Sequence, residues 1–373
     1  MKARTFNIMD YLKMRGDLTF AQSGFNSVDA LILSQIAYNN IDSLVSPDFK
    51  QKITLKELSD CFFAAKDCEK RSNMGAMINP LTPELLKSAA ESRRFGKIKV
   101  SGFINKIDEA LIEQFSAITY QLESDRYVVA LRGTDDTIVG WYEDFNLGYM
   151  DEIPAQKDTR EYIQAAMAAL KGSFIITGHS KGGNLSIKAG MCVPKKSLGR
   201  LEAVYNFDGP GFFSPVYKCS EFLQIKDRVF SYFPEFCVVG MMFEYTNQYK
   251  IVACSAEGIL QHDPFAWNVA GPSFETAPSF DEASEFFHAS FNSWAERLAP
   301  EERKNFIDTL FDVIYASGAK TNYEIDQNKF VCGTKMLARL AELGEKERKA
   351  VTRAIKVFVK VAKDNVPMFS VFK

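Results

Sequence analysis

Residues 178 to 182 of this 373-residue chain read Gly-His-Ser-Lys-Gly, directly after the apolar run SFIITG and before a helical stretch through Ala189. A G-x-S-x-G pattern between a strand and a helix places its serine on a strained turn. Small residues on both flanks let the backbone turn without clashing, so the Ser180 hydroxyl projects at the carboxyl edge of a sheet. The following helix aims its N-terminal N–H groups at the same point, where they can stabilise an oxyanion. The chemistry implied is nucleophilic attack on a carbonyl. Without its context, the same pattern is a glycine-rich turn that packs a helix on a sheet.

A serine hydroxyl needs a general base, and histidine titrates in the right range. The chain has three histidines. His179 adjoins the serine and is expected to pack beneath the turn. His288 falls in the helical segment EASEFFHASF, where a packing or surface role is expected. His262, in the loop-like GILQHDP after a strand and downstream of Ser180, is the expected base. An acid should lie between Ser180 and His262 in chain order. Asp208 in FDGPGF and Asp227 in IKDRVFSYFP both qualify, and position alone does not separate them. Asp208 suits a turn cap, and Asp227 suits a solvated charge between Lys226 and Arg228. Asp263 is a weaker third choice, because a neighbour of the histidine seldom reaches its Nδ1.

The elements that must hold these groups are readable in outline. DALILSQIAY (29–38) puts Leu31, Ile32, Ile36 and Ala37 on one helical face. Residues 56–93 are also helical, interrupted by Asn79-Pro80 and Thr82-Pro83. From Lys97 the pattern changes to strands, with FSAITYQL (115–122) and RYVVALRG (126–133) forming a hairpin through Glu123-Ser124-Asp125. A loop past Trp141 and Asp144 leads to a helix near 157–171. Strands at 173–178, 201–209, 228–233 and 249–255 follow, and from Ser279 the chain reads as charged amphipathic helices. Buried strands alternating with helices predict an α/β fold with a mostly parallel central sheet covered on both faces. The expected division is a helical region at 1–94, a core at 95–272 and a helical region at 273–373.

Composition narrows the function classes. An apolar fraction of 46% and 31 Phe match a packed globular chain. Forty-five basic residues against 47 acidic ones, net charge −2, leave no broad basic surface for nucleic acid or anionic lipid, so such a partner would need a local patch. Seven scattered cysteines without a C-x-x-C pair suit a reducing compartment. The first residues lack a secretory apolar run and no segment approaches a membrane span, so a cytoplasmic location is expected. No cofactor or metal is implied, since neither the acids nor the histidines show ligand spacing.

Several motifs together resemble the class 3 lipases. VVALRGTDDTIVGWYEDF (128–145) resembles the segment of that family in which a strand ends in Phe-Arg-Gly-Ser/Thr, followed by a Trp and an Asp-Leu. ITGHSKGG resembles its Gly-His-Ser-Leu-Gly-Gly, FDGPGF its Phe-Gly-x-Pro, and KDRVFSYFP its Asp-x-Val-x-x-Leu-Pro. The whole chain is similar to the Mbeg-like bacterial proteins of unknown function that are related to those lipases. The resemblance implies an α/β-hydrolase fold and a serine hydrolase acting on an ester. It implies Asp227 as the acid beside Ser180 and His262, with Asp208 the alternative. It also implies an oxyanion hole from Thr134, through its N–H and its hydroxyl, and from the N–H of Lys181. Arg132, Trp141 and Asp144 then fix the Thr134 loop.

Two departures bear on the substrate. Lys181 stands where the family has Leu or Met, which brings a charge close to the site. FNLGYMDEIPAQK is short and polar where the family carries an amphipathic lid. A small-molecule ester or lipid-derived substrate is therefore expected, with interfacial activation disfavoured. The sequence leaves the oligomeric state open. The alternatives are a catalytically silent binding or scaffold protein on the same fold, and a thioesterase or peptidase using the same triad.

Overall fold

The structure is a computed structural model that describes residues 5–365 apart from Ser124 and Asn247. The chain enters through helices α1 (Ile8–Arg15) and α2 (Ser27–Ile36), each closed by an asparagine capping box, Asn7 with Asp10 and Asn26 with Asp29. A short strand β1 (Ile53–Thr54) and helices α3 (Leu55–Ala64), α4 (Cys68–Ser72) and α5 (Thr82–Glu91) follow. Strands β2 (Lys99–Asp108), β3 (Glu113–Glu123) and β4 (Arg126–Leu131) form an antiparallel meander. The β3–β4 hairpin lies where the sequence put it, and Ser124 of its turn is outside the described residues.

Helices α6 (Ile138–Asn146) and α7 (Pro154–Ala169) then carry the chain to β5 (Ser173–His179), and α8 (Lys181–Met191) carries it on to β6 (Leu201–Phe207). The short helices α9 (Ser214–Lys218) and α10 (Ser220–Leu223) precede β7 (Val229–Pro234) and β8 (Tyr249–Val252). The eight strands lie in sequential order, with β1 to β4 antiparallel and β4 to β8 parallel. Trp141 and Asp144 lie on α6, a helix capped by Thr137, where a loop was expected.

Sequential order has a consequence for coverage. Right-handed crossovers that always step in the same direction put their helices on the same face. Residues Val129, Leu131, Phe174, Ile176 and Val204 pack with α7 and α8, whereas their alternates Val128, Ala130, Ile175 and Ala203 face the N-terminal helices. The second face is thus covered by α1, α2 and α5. This explains why α2 is buried at all ten positions and not on one face as its pattern predicts. An element packed between sheet and helices has no solvent side to mark with polar residues.

Beyond β8 a small hairpin, β9 (Val269–Ala270) with β10 (Ser273–Phe274), packs near α2. Helices α11 (Glu282–Arg297), α12 (Pro300–Tyr315), α13 (Asn322–Gln327), α14 (Lys329–Glu342) and α15 (Glu345–Asn365) end the described chain. Among them α12 meets α6, stacking Phe311 on Tyr142 with ring centroids 4.3 Å apart. No helix among the described residues is long and apolar enough to cross a membrane.

Candidate functional site

Ser180 stands between β5 and α8 with φ 58° and ψ −134°, outside the relaxed backbone regions of an L-residue. Glycine is required on both sides by contact distances. A Cβ on Gly178 would meet the Gly182 carbonyl oxygen at 1.9 Å, and one on Gly182 would meet the Leu131 carbonyl oxygen at 2.1 Å. The turn therefore exists only with bare backbone at these positions. Lys181 is the first residue of α8, so its N–H belongs to the first turn, which has no intrahelical acceptor.

The loop leaving β4 passes against this turn. A side chain at Gly133 would meet Tyr38 Oη at 2.1 Å, the His179 carbonyl oxygen at 2.5 Å and Ser180 Cβ at 3.1 Å. Thr134 follows at once, and its hydroxyl donates to Asp144 Oδ2. With its single proton committed there, the hydroxyl is not a second oxyanion donor while Asp144 is ionised. Burial pushes the Asp144 carboxyl up to about 6, against the opposing pull of the Lys181 ammonium and the Thr134 hydrogen bond. Arg132 donates to Asn105 Oδ1 and Asp135 Oδ2, fixing the other side of the loop. Trp141 packs instead in the cluster of Ile307 and Phe311, and its Nε1 has no hydrogen-bond partner among the described residues.

The Lys181 side chain does not bring an exposed charge to the site. It is 1% exposed, donating to the Gln114 carbonyl at 2.8 Å and to Glu143 Oε2 at 2.7 Å. Glu143 also accepts the N–H groups of Gln114 and Ala155, so the buried pair is satisfied on both members. Glu143 had no signal in the sequence beyond its place in WYEDF.

His262 closes a 3-10 turn at Gly258–His262. Its Nδ1 donates to Asp208 Oδ2 at 2.5 Å, with Asp208 1% and His262 25% exposed. Asp208 is held hard in place. It sits at φ 48° just past β6, its N–H donates to the Tyr232 carbonyl, and its Oδ1 accepts Gly240 N–H at 3.1 Å and the Cys237 thiol at 3.0 Å. Burial and the adjacent carboxylate push the Cys237 thiol well up. Gly240 and Cys237 carried no sequence signal as supports for an acid.

Asp227, the acid expected from the resemblance, is not beside His262. It is exposed in a 3-10 turn at Lys226–Arg228, immediately before β7. Strand β7 is parallel to β6 with Val204 opposite Val229 and Phe207 opposite Tyr232. Asp208 therefore follows the carboxyl end of β6, on the edge that bears Ser180, while Asp227 precedes the amino end of β7. The three steps between the first and last paired residues, at about 3.3 Å each, separate the two edges by roughly 10 Å. Asp263 is engaged elsewhere, accepting Asn79 Nδ2 at 2.5 Å and capping the next turn through Phe265 N–H.

The other two histidines are structural in their contacts. His179 lies under the turn with Nε2 at 2.9 Å from the His262 carbonyl oxygen and Nδ1 at 3.3 Å from Tyr38 Oη. Burial, reinforced by His262 nearby, lowers its pKa well below the ordinary value, so the ring is neutral. His288, on α11, donates from Nδ1 to the Met241 carbonyl at 2.7 Å. Among the described residues no group of three or more His, Cys, Asp or Glu comes together to hold a metal ion.

A mostly parallel sheet between two helical layers, with a serine elbow after β5 and an Asp–His pair at the same edge, defines the α/β-hydrolase fold. The chain belongs to the Mbeg1-like family, whose sequence profile matches residues 89–312. No curated protein matches it. A solved structure described as a crystal structure of M37 lipase is similar at 15% identity, over 57% of this chain and 68% of that one, with a TM-score of 0.35.

Proposed function

We propose that this protein is a serine hydrolase that cleaves an ester through an acyl-enzyme, with Ser180 as nucleophile, His262 as general base and Asp208 as the orienting acid. The observation that carries the reading is the 2.5 Å contact of Asp208 Oδ2 with His262 Nδ1 at the edge that bears the strained Ser180. An acceptor on Nδ1 fixes the tautomer that leaves Nε2 free to take the serine proton. Attack on the carbonyl forms a tetrahedral intermediate whose oxygen the N–H groups of Thr134 and Lys181 receive. His262 then protonates the leaving alcohol, and water repeats the sequence to release the acid.

An apolar acyl group is the substrate we favour, because Ile259 and Leu260 project exposed from the same turn as His262. Turnover of p-nitrophenyl esters of increasing chain length tests this reading, with matched thioesters and anilides in parallel. Hydrolysis lost in Ser180→Ala and fastest with esters is the expected result. Absence of turnover on every series with folded protein would contradict it.

A further inference from the structure

The chain is nearly neutral overall, yet its last described helix is not. From Arg348 to Val361 it carries Arg348, Lys349, Arg353, Lys356 and Lys360 and no acidic residue. On a helix of 3.6 residues per turn these sort into three stripes about a third of a turn apart. Ala354, Val357 and Val361 are buried against α11 and α12, beside Leu298, Trp294 and Phe306. Arg353, Lys356 and Lys360 form the basic stripe. The third stripe is apolar and has no packing partner among the described residues: Ile355, Phe358 and Val359 are exposed.

Lys356 and Lys360 make no ion pair among the described residues, while Arg353 reaches Glu302 at 3.4 Å. Large apolar side chains exposed together on one helix face, here Ile355, Phe358 and Val359, mark a binding surface.

We propose that the outer face of α15 docks on an anionic lipid bilayer. A basic stripe beside an exposed apolar stripe, on a helix whose remaining face is anchored to the protein, is the pattern of a helix lying in a membrane interface. Phe358 and Ile355 enter the headgroup boundary, and the lysine stems extend their ammonium groups to the phosphates. Charge decides between occupants. A two-fold pairing of this face with a second copy would bring each copy's Lys356 and Lys360 toward those of the other, which like charge opposes. An anionic surface satisfies both stripes at once. The inference rests on surface chemistry alone and is independent of the hydrolase reading.

Flotation of the full-length protein with vesicles tests it, using phosphatidylcholine alone and phosphatidylcholine mixed with phosphatidylglycerol. The expected result is binding to the mixed vesicles only, reversed by high salt. It should fall roughly tenfold or more in the double variants Lys356→Glu/Lys360→Glu and Ile355→Ser/Phe358→Ser. Both pairs are exposed, and circular dichroism melts that match wild type establish that the fold is kept. Equal binding to both vesicle types, binding to neither, or indifference to the charge reversal would overturn the proposal. So would a dimer in sedimentation velocity that the Ile355→Ser/Phe358→Ser variant dissociates.

Discussion

The ring of His179 donates from Nε2 to the main-chain oxygen of His262 at 2.9 Å, while the two imidazoles lie with centroids 4.7 Å apart. A carbonyl only accepts, so Nε2 carries the proton and Nδ1 faces the Tyr38 hydroxyl as the lone pair. One histidine thus fixes the backbone of the other, while Asp208 fixes its side chain.

Burial of the His179 ring sets a pH dependence, the hydrogen bond to His262 opposing it only in part. The folded-state pKa of His179 lies below its unfolded value near 6.5, so the unfolded chain binds more protons below that value. Stability from this group is fully present above about pH 6.5 and is lost as pH falls toward the folded pKa. Asp144, raised to about 6, acts in the opposite sense, with stability lost as pH rises from about 4 to 6. Urea melts of wild type and His179→Gln isolate the first term: wild type loses more stability from pH 7 to pH 5 than the variant. Parallel losses would contradict the buried neutral ring.

Asp208→Asn and Asp227→Asn separate the two acids. The first removes the acceptor that fixes the His262 tautomer and should lower kcat by about 10⁴-fold, while the second leaves kcat within about twofold of wild type. Steady-state rates on a p-nitrophenyl ester decide it.

Thr134→Val removes the hydroxyl that Asp144 accepts but keeps the backbone N–H. Stability should fall by about 1–3 kcal/mol because a largely buried carboxylate loses its partner, and kcat should fall by less than about tenfold, the N–H being the oxyanion donor. A loss of kcat near that of an oxyanion-hole deletion would return the hydroxyl to the chemistry.

Asp29 is fully buried, accepting Arg94 Nε at 2.7 Å, Arg94 Nη2 at 2.5 Å and Tyr11 Oη at 2.9 Å. Asp29→Ala strands the Arg94 charge inside the N-terminal layer and should cost about 3–5 kcal/mol, read from urea melts. A change below about 1 kcal/mol would mean that α2 is held by apolar packing alone.

Sequence legibility followed the local physics. The elbow was readable because Gly178 and Gly182 are dictated by contacts within a few residues of Ser180, and the strands because their apolar runs are continuous. His262 could be singled out from three histidines as a candidate. Asp208 could not be chosen over Asp227, because the choice depends on which sheet edge each occupies, and motif likeness favoured the acid at the edge away from Ser180. The burial of the Lys181 charge was not legible for a similar reason: its partner Glu143 lies 38 positions away, on a helix the pattern gave as a loop. The burial of α2 was hidden by the same non-locality, since sequential strand order leaves a whole face for the N-terminus to cover.

The most direct test of the account is fluorophosphonate labelling read by intact mass on wild type, Ser180→Ala and Asp208→Asn. A single adduct on wild type, absent in Ser180→Ala and much slower in Asp208→Asn, is the predicted result. A folded wild type that takes no adduct, or an adduct that survives Ser180→Ala, would contradict it.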